Sequence, residues 1–160
     1  MPPTEDLGDI LFFTPFPRVY VKKLVLLFGV MCVVGCATVV SKDSVSLQNA
    51  IDLKVESLAL LDKAVDPPER HSTQIEDLRL KLLKAFEYEK TRGELNAVSI
   101  EQWKILIDPN GHLLGGFLRK WETDGIGRSP AFLSGVKKTI TQAFDQIIKL
   151  ESQKPDRRVI

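Results

Sequence analysis

The residues with the clearest chemical potential lie in one stretch of the chain, from Val21 to Cys36. Lys22 and Lys23 open it, an apolar run follows, and Gly35 and Cys36 close it. A basic start, an apolar middle and a small residue at the end are the layout of a secretory signal with its cleavage site. Cysteine supplies the strongest nucleophile among ordinary side chains, its thiolate, so Cys36 can form a covalent bond there.

The motif Val33-Val34-Gly35-Cys36 resembles the lipobox of bacterial lipoproteins: an aliphatic residue, a small or aliphatic residue, a small residue, then cysteine. The resemblance implies that Cys36 receives a diacylglyceryl group and that the chain is cut after Gly35. The new amino terminus would then be acylated, for example with palmitate. One acyl chain binds a membrane marginally, whereas two or three anchor it permanently. Ala37, rather than aspartate, follows the cysteine, which in this family implies the periplasmic face of the outer membrane.

Two other interpretations of the apolar run stay open. As a helix, residues 24–40 would reach about 25 Å, less than the ~30 Å hydrocarbon core that an uncleaved anchor must cross. Pro15, Pro17 and Arg18 prevent its extension toward the amino terminus. A buried core helix is the other interpretation. We expect the lipid anchor.

Residues 1–20 do not match the start of a signal. Three acidic residues precede the first basic residue, Arg18, although this region of a signal is normally basic. We therefore expect translation to start at Val19 or Val21. A GTG start codon gives methionine when it initiates translation, but it appears as valine in a sequence that is taken to start upstream of it. A long functional amino-terminal region is the alternative.

The composition limits the class of protein. The chain has 22 Lys+Arg and 21 Asp+Glu residues, and three of each precede Cys36, which leaves 19 and 18. This balance gives no electrostatic basis for binding nucleic acid. Cys32 would leave with the signal and Cys36 would carry lipid, so we expect no disulfide. The chain beyond the signal is long enough for one domain.

The chain is expected to divide into four parts and to fold as an all-α protein. These are a signal over 1–35, with 1–20 as the upstream extension, a lipidated tether over 36–44, a helical domain over 45–153 and a flexible tail over 154–160. No strand alternation or internal repeat appears in the sequence. Because the connections are short, we predict a small bundle of about four or five roughly antiparallel helices.

Helical spacing of apolar residues predicts a first helix over about 44–65 and a second over about 68–92. Proline ends the first, and Gly93 is a suitable terminator for the second. The predicted inward residues are Leu47, Ile51, Val55, Leu58, Leu61 and Val65, then Ile75, Leu78, Leu82, Leu83 and Phe86. The residues predicted to face solvent at the end of the second helix are Glu87, Glu89, Lys90 and Arg92.

Two short helices and a long one follow. Ser99 and Gln102 have the spacing of a capping box and predict a helix to about Ile107. The turn sequence 108–111 breaks the chain before a second short helix. Ser129 as N-cap and Pro130 at the first helical position open the last helix. The predicted inward residues are Ile100, Trp103, Leu106, Ile107, Leu113, Leu114, Phe117, Leu118, Trp121, Phe132, Val136, Ile140, Phe144, Ile147 and Leu150.

Metal and nucleotide motifs are incomplete. A calcium loop beginning at Asp108 would need an acidic residue where Arg119 stands, so turn chemistry explains Asp108-Pro109-Asn110-Gly111-His112 better. The segment 125–130 lacks the preceding strand and third glycine of a dinucleotide fingerprint. A weaker expectation is that Arg128 and Ser129 hold an anionic group of a partner at the start of the last helix.

The remaining polar and aromatic residues are expected to be structural. His71 and His112 lie in different segments, so we expect surface or capping roles. Trp103 and Trp121 lie on apolar stripes and should be core, although an exposed Trp121 would be a good partner anchor. The carboxylates predicted to pair with basic neighbours on solvated helix faces are Glu76, Asp77, Glu87, Glu89, Glu122 and Asp124.

These observations favour a non-enzymatic envelope lipoprotein whose helical bundle binds another protein or an envelope polymer. No catalytic residues can be assembled from the sequence, and we expect no metal or cofactor beyond the lipid on Cys36. The alternative function is a carrier of a small hydrophobic ligand, with a cavity between helices. The residues expected to line that cavity are Phe86, Phe117, Phe132 and Phe144.

Overall fold

The computed structural model describes residues 40–124 and 129–156, and within these ranges the regular structure is helical throughout. Two short 3₁₀ turns, Pro68–Arg70 and Glu94–Asn96, join the first three helices. The predicted all-α class is confirmed. The five helices of the described ranges are α1 (Ser44–Leu61), α2 (Ser72–Thr91), α3 (Ala97–Ile107), α4 (Leu114–Asp124) and α5 (Pro130–Gln153).

Four of the helices form a closed ring in which neighbours run antiparallel. In the ring α1 packs on α2 and α5, and α3 packs on the other sides of α2 and α5, while α4 covers α3 and α2. The opposite directions of α1 and α5 are visible in two ion pairs. Lys54 of α1 is 2.5 Å from Asp145, and Asp62, farther along the chain at the end of α1, pairs with Lys137, which lies nearer the start of α5.

The two tryptophans lie at the centre of the core, as predicted. Both Trp103 and Trp121 are fully buried. The Trp103 and Phe144 rings are nearly perpendicular, with 6.2 Å between centroids, a geometry that aromatic pairs favour. Trp121 donates from Nε1 to the Asp66 carbonyl oxygen at 3.1 Å, so the turn after α1 is tied to α4.

The predicted inward face of α1 is correct in part, because Leu61 is buried and Leu58 packs against the core. Ile51 and Val55 are exposed, and so is Val65, which lies beyond the observed end of the helix at Leu61. Half of the buried residues of α1 are small and half are leucines. Hydrophobic periodicity selects large apolar residues, so it does not indicate the small ones. The buried residues of α1 are Ser46, Ala50, Leu53, Ser57, Leu60 and Leu61.

The turn between α3 and α4 has the chemistry that the sequence predicts. The Asp108 side chain accepts from the Asn110 amide at 2.8 Å, and its carbonyl oxygen accepts from the Gly111 amide at 3.0 Å. Gly115 and Gly116 follow in the first turn of α4. A Cβ atom at Gly116 would overlap the Gly111 carbonyl oxygen, and one at Gly115 would overlap the backbone of Ile107. The two glycines therefore let α4 pack directly against the preceding turn.

The start of α5 has its predicted cap, and Ile140, Phe144 and Ile147 of its predicted face are buried. Ser129 accepts from the Phe132 amide at 3.3 Å, and Pro130 occupies the first turn. Phe132, predicted to face inward, is 46% exposed, whereas its neighbour Leu133 is buried. In α2, Leu83 is likewise exposed although Ile75, Leu78 and Leu82 are buried as predicted.

Candidate functional site

Polar side chains from every helix of the ring meet at one end of the bundle. This end holds the start of α1, the end of α2, the start of α3 and the end of α5. We call the cluster the terminal network. Its members are Asp43, Ser46, Tyr88, Glu89, Arg92, Asn96, Ser99, Glu151 and Lys154.

Arg92 joins three parts of the chain through its guanidinium group. Its Nη1 donates to Ser46 Oγ at 2.9 Å, to Glu151 Oε2 at 3.1 Å and to Glu89 Oε2 at 3.4 Å. Its Nη2 donates to the carbonyl oxygen of Ser41. The planar guanidinium presents five donors in fixed directions, a geometry that lysine cannot reproduce. Only 9% of the Arg92 side chain is exposed.

Lys154 is the second cation of the network. Its Nζ lies 2.6 Å from Glu151 Oε1, 2.6 Å from Asn96 Oδ1 and 2.8 Å from Ser99 Oγ. The Ser99 hydroxyl donates in turn to Glu151 Oε1 at 2.5 Å. The predicted capping box is therefore wrong, because α3 begins at Ala97 and Ser99 lies inside it.

The last turn of α2 carries the second buried acid of the network, Glu89. Asn96 Nδ2 donates to Glu89 Oε2 at 2.6 Å and to the Glu89 carbonyl oxygen at 3.0 Å. Gly93 makes the turn between α2 and α3 with φ of 83°, a conformation that favours glycine, and so ends α2 as predicted. The prediction that Glu89 and Arg92 face solvent is wrong, because they are the buried centre of this turn.

Asp43 and Tyr88 form the rim of the network beside α1. Burial acts to raise the pKa of Asp43, but hydrogen bonds from the Tyr88 hydroxyl and from the Ser46 and Val45 amides outweigh it. The pKa of Asp43 therefore lies below its ordinary value of 3.8. Burial and the hydrogen bond to Asp43 raise the pKa of Tyr88 above its ordinary value of 10.0. Both shifts favour the charged carboxylate with the neutral phenol.

The network also holds both ends of the described chain. The Ser41 carbonyl oxygen accepts from Arg92, and the Lys42 amide donates to the Pro155 carbonyl oxygen at 2.7 Å. The tether predicted over 36–44 is thus fixed to the bundle from Ser41 onward. At the other end of the described chain, α5 extends to Gln153. Beyond it Lys154 Nζ donates to Glu151, and the Pro155 carbonyl oxygen accepts from the Lys42 amide. These contacts join the first two residues of the tail predicted over 154–160 to the bundle, and residues 157–160 of that tail lie outside the described residues.

The charges at the centre of the network balance. Glu89 and Glu151 are 1% and 0% exposed, and they face the two cations Arg92 and Lys154. Buried charges are costly unless they are paired and hydrogen-bonded, and these are. Because the carboxylates are enclosed and accept from several donors, they have no open side from which to meet a substrate. The arrangement positions four chain segments relative to one another.

The sequence contains a signal for this network in the spacing of its acids and cations. Glu89 lies seven residues after Leu82, and Glu151 lies seven residues after Phe144, so both acids continue a buried stripe. Each acid is followed three residues later by a cation, Arg92 or Lys154. An acidic residue in core register with a cation one turn later is the pattern of a buried ion pair.

Of the five residues predicted as functional sites, three lie outside the described residues and two lie within them. Cys36, Gly35 and Arg128 lie outside the described residues. Ser129 is exposed and caps α5. Trp121, which would be a partner anchor only if it were exposed, is fully buried, and its ring lies 5.9 Å from that of His71.

His112 and most of the carboxylates are placed as expected, whereas the side chain of His71 is only 13% exposed. His71 Nε2 lies 3.0 Å from Asp66 Oδ2, and its residue precedes α2, although its side chain does not cap that helix. His112 is exposed. Glu122 pairs with Arg79 across helices, while Glu89 is the exception described above. Over 40–124 and 129–156, His, Cys, Asp and Glu form no group of three or more suited to a metal ion.

The four phenylalanines proposed for a ligand cavity do not share one. Phe117 and Phe132 line an open groove of about 480 Å³ between α4 and α5. Phe144 is fully buried against Trp103. Phe86 lies on α2 under the ammonium group of Lys90, at 5.3 Å.

No helix in the described ranges combines the length and the hydropathy needed to cross a bilayer. Comparisons of this chain with protein-family models, with curated proteins and with solved structures give no match.

Proposed function

We propose that this chain is a bacterial lipoprotein, anchored through Cys36 to the periplasmic face of the outer membrane. The observation that carries the proposal is the lipobox pattern Val33-Val34-Gly35-Cys36 after a basic and apolar segment. Ala37 favours the outer membrane over the inner one through the same resemblance. Two or three acyl chains at Cys36 would make the attachment permanent.

The contacts of Ser41 support a role close to the membrane. Five residue steps separate Cys36 from Ser41, and at no more than ~3.6 Å each they reach at most about 18 Å. Arg92 donates to the Ser41 carbonyl oxygen, so Ser41 and the residues after it stay with the bundle and add no length to the tether. A tether this short raises the effective concentration of the bundle for any target in the same membrane.

The bundle itself is proposed to be a non-enzymatic binding module for an envelope protein or polymer. Large apolar side chains remain exposed on α1, α2 and α3, among them Val55, Leu83 and Ile105. Leu83 also lines an open groove of about 510 Å³ between α2 and the turn before α4. Exposed apolar residues beside a groove are typical of surfaces that bind another molecule.

A carrier of a small hydrophobic ligand is the second candidate. The observation that favours it is the groove lined by Phe117 and Phe132, whose volume of about 480 Å³ suits a small ligand. Binding of a fluorescent fatty acid to the purified domain tests it. Saturable binding that is lost in Phe132→Ser supports the carrier, and absence of binding at micromolar ligand contradicts it.

The anchor is tested by replacing Cys36 with alanine and following the product in a bacterial host. We expect loss of palmitate labelling and accumulation of the uncut precursor, because the reactive thiol is gone. Cys32→Ala is the matched control, since it removes a cysteine from the same segment but leaves the lipobox intact. Mass spectrometry of the native product that finds a free Cys36 thiol with residues upstream of it still attached would contradict the proposal.

A further inference from the structure

The end of the bundle that carries the terminal network also exposes apolar side chains. Leu95, next to Asn96 of the network, is 62% exposed, and Val98, next to Ser99, is 63% exposed. Val45, which follows the cap residue Asp43 at a distance of two positions, is 48% exposed. All three lie beside residues that the network joins directly, so they lie at the same end of the bundle.

This end is also the one nearest the proposed anchor. The Ser41 carbonyl oxygen and the Lys42 amide are bound to Arg92 and to Pro155, so a segment five residues after Cys36 is joined to the terminal network. At most about 18 Å of extended chain then separates that segment from the acylated residue. Any membrane that holds Cys36 must therefore lie close to this end.

We propose that the bundle docks on the phospholipid surface through this end, with Leu95 and Val98 inserted at the interface. The proposal rests on the lipid anchor argued above. When a surface is held against a bilayer, its apolar side chains lower the free energy of the system by entering the boundary between headgroups and acyl chains. The opposite face of the molecule, which includes the turn 108–111, would then face the periplasm.

The charges around the apolar residues favour neither anionic nor zwitterionic headgroups. Lys42 and Lys90 are exposed at this end together with Glu87 and Glu94. Opposite charges in similar number give no strong attraction to anionic headgroups. The contact therefore depends on apolar insertion and should form equally well on zwitterionic phosphatidylcholine.

Bromine quenching tests the orientation in the full lipidated protein. Leu95→Trp and, separately, Val98→Trp place a new indole at the proposed contact, and each replaces an exposed side chain. Native Trp103 and Trp121 are fully buried and give a constant background. Leu80→Trp is the control, since Leu80 is 51% exposed but lies twelve residues before Arg92 on α2, or about 18 Å along the helix.

In vesicles of brominated phosphatidylcholine, the emission added by Leu95→Trp or by Val98→Trp should fall about twofold or more relative to unbrominated vesicles. Emission added by Leu80→Trp should not change. Protein that sediments with the vesicles but shows the same emission in both kinds of vesicle for all three variants would overturn the docking and leave the anchor intact. Protein that does not sediment with vesicles would overturn the anchor, and the docking with it.

Discussion

The two ends of the α3 helix are held by opposite means. At its start Ser99 and Asn96 enter the terminal network, where hydrogen bonds and ion pairs between helices join residues 45 to 59 positions apart in the chain. At its end Gly115 and Gly116 bring the α4 backbone against the turn 108–111, only a few residues away. One end depends on charge and the other on the absence of a side chain.

The difference separates global from local organisation. Loss of the network would release the ends of α1, α2 and α5 together, because Arg92 contacts a group from each of them or from the segment before it. Loss of the glycine contact would disturb α4 and the turn before it. Mutations at the two ends should therefore differ in the size and in the extent of their effects.

Arg92→Met should have the largest effect. It leaves Glu89 and Glu151 buried with one cation fewer, and removal of one partner from a buried ion pair typically costs about 3–5 kcal/mol. We expect a decrease of this size in the free energy of unfolding, measured with urea. Protease cleavage near Ser41 should also accelerate, since this carbonyl loses its donor.

Lys104→Met is the matched control for Arg92→Met. Lys104 is 65% exposed and pairs with Glu101 at 3.5 Å, also three residues away on one helix. Exposed pairs of this kind contribute at most about 1 kcal/mol. Equal losses of stability in the two variants would refute a special role for the network.

Gly116→Ala should have the next largest effect. The new methyl group overlaps the Gly111 carbonyl oxygen, and this atom belongs to the backbone and cannot rotate away. Overpacking of this kind costs about 1–3 kcal/mol. Hydrogen exchange should accelerate at the amides of 111–118 but remain unchanged at the terminal network.

Gly135→Ala is the internal control for Gly116→Ala. No atom lies within 4 Å of a Cβ at Gly135, which is exposed within α5. Alanine should therefore increase stability by about 0.5–1 kcal/mol through its higher helix propensity. A stabilising effect at Gly116 would show that its close packing is not required.

The same contrast explains what the sequence could predict. The turn 108–111, the cap at Ser129 and the end of α2 at Gly93 depend on neighbouring residues, and all three were predicted correctly. The network depends on contacts between distant segments, so Glu89 and Arg92 were assigned to solvent. On α1 the apolar pattern correctly indicates Leu61 but not the buried Ser46 and Ser57, because small polar residues carry no hydrophobic signal.

Asp43→Asn should have the smallest effect and should depend on pH. Asparagine keeps the cap at the start of α1 but removes the charge that the Tyr88 hydroxyl and two backbone amides stabilise. The pKa of Asp43 is depressed in the folded protein, so its stabilisation is present above about pH 4, the ordinary value for aspartate, and is lost as pH falls through the folded pKa. We expect the free energy of unfolding of wild type to exceed that of Asp43→Asn by about 0.5–1 kcal/mol at pH 7.

The test for Asp43 compares wild type with Asp43→Asn. The free energy of unfolding of each is measured with urea at several pH values between 7 and 2, which gives two curves. They should converge at acid pH, because wild-type Asp43 then becomes neutral like asparagine. In a Tyr88→Phe background the gap at pH 7 should narrow, since the phenol donor that helps to depress the pKa of Asp43 is gone. Curves that stay parallel down to pH 2 would mean that Asp43 acts only as a neutral cap. The network would then consist of its buried centre alone.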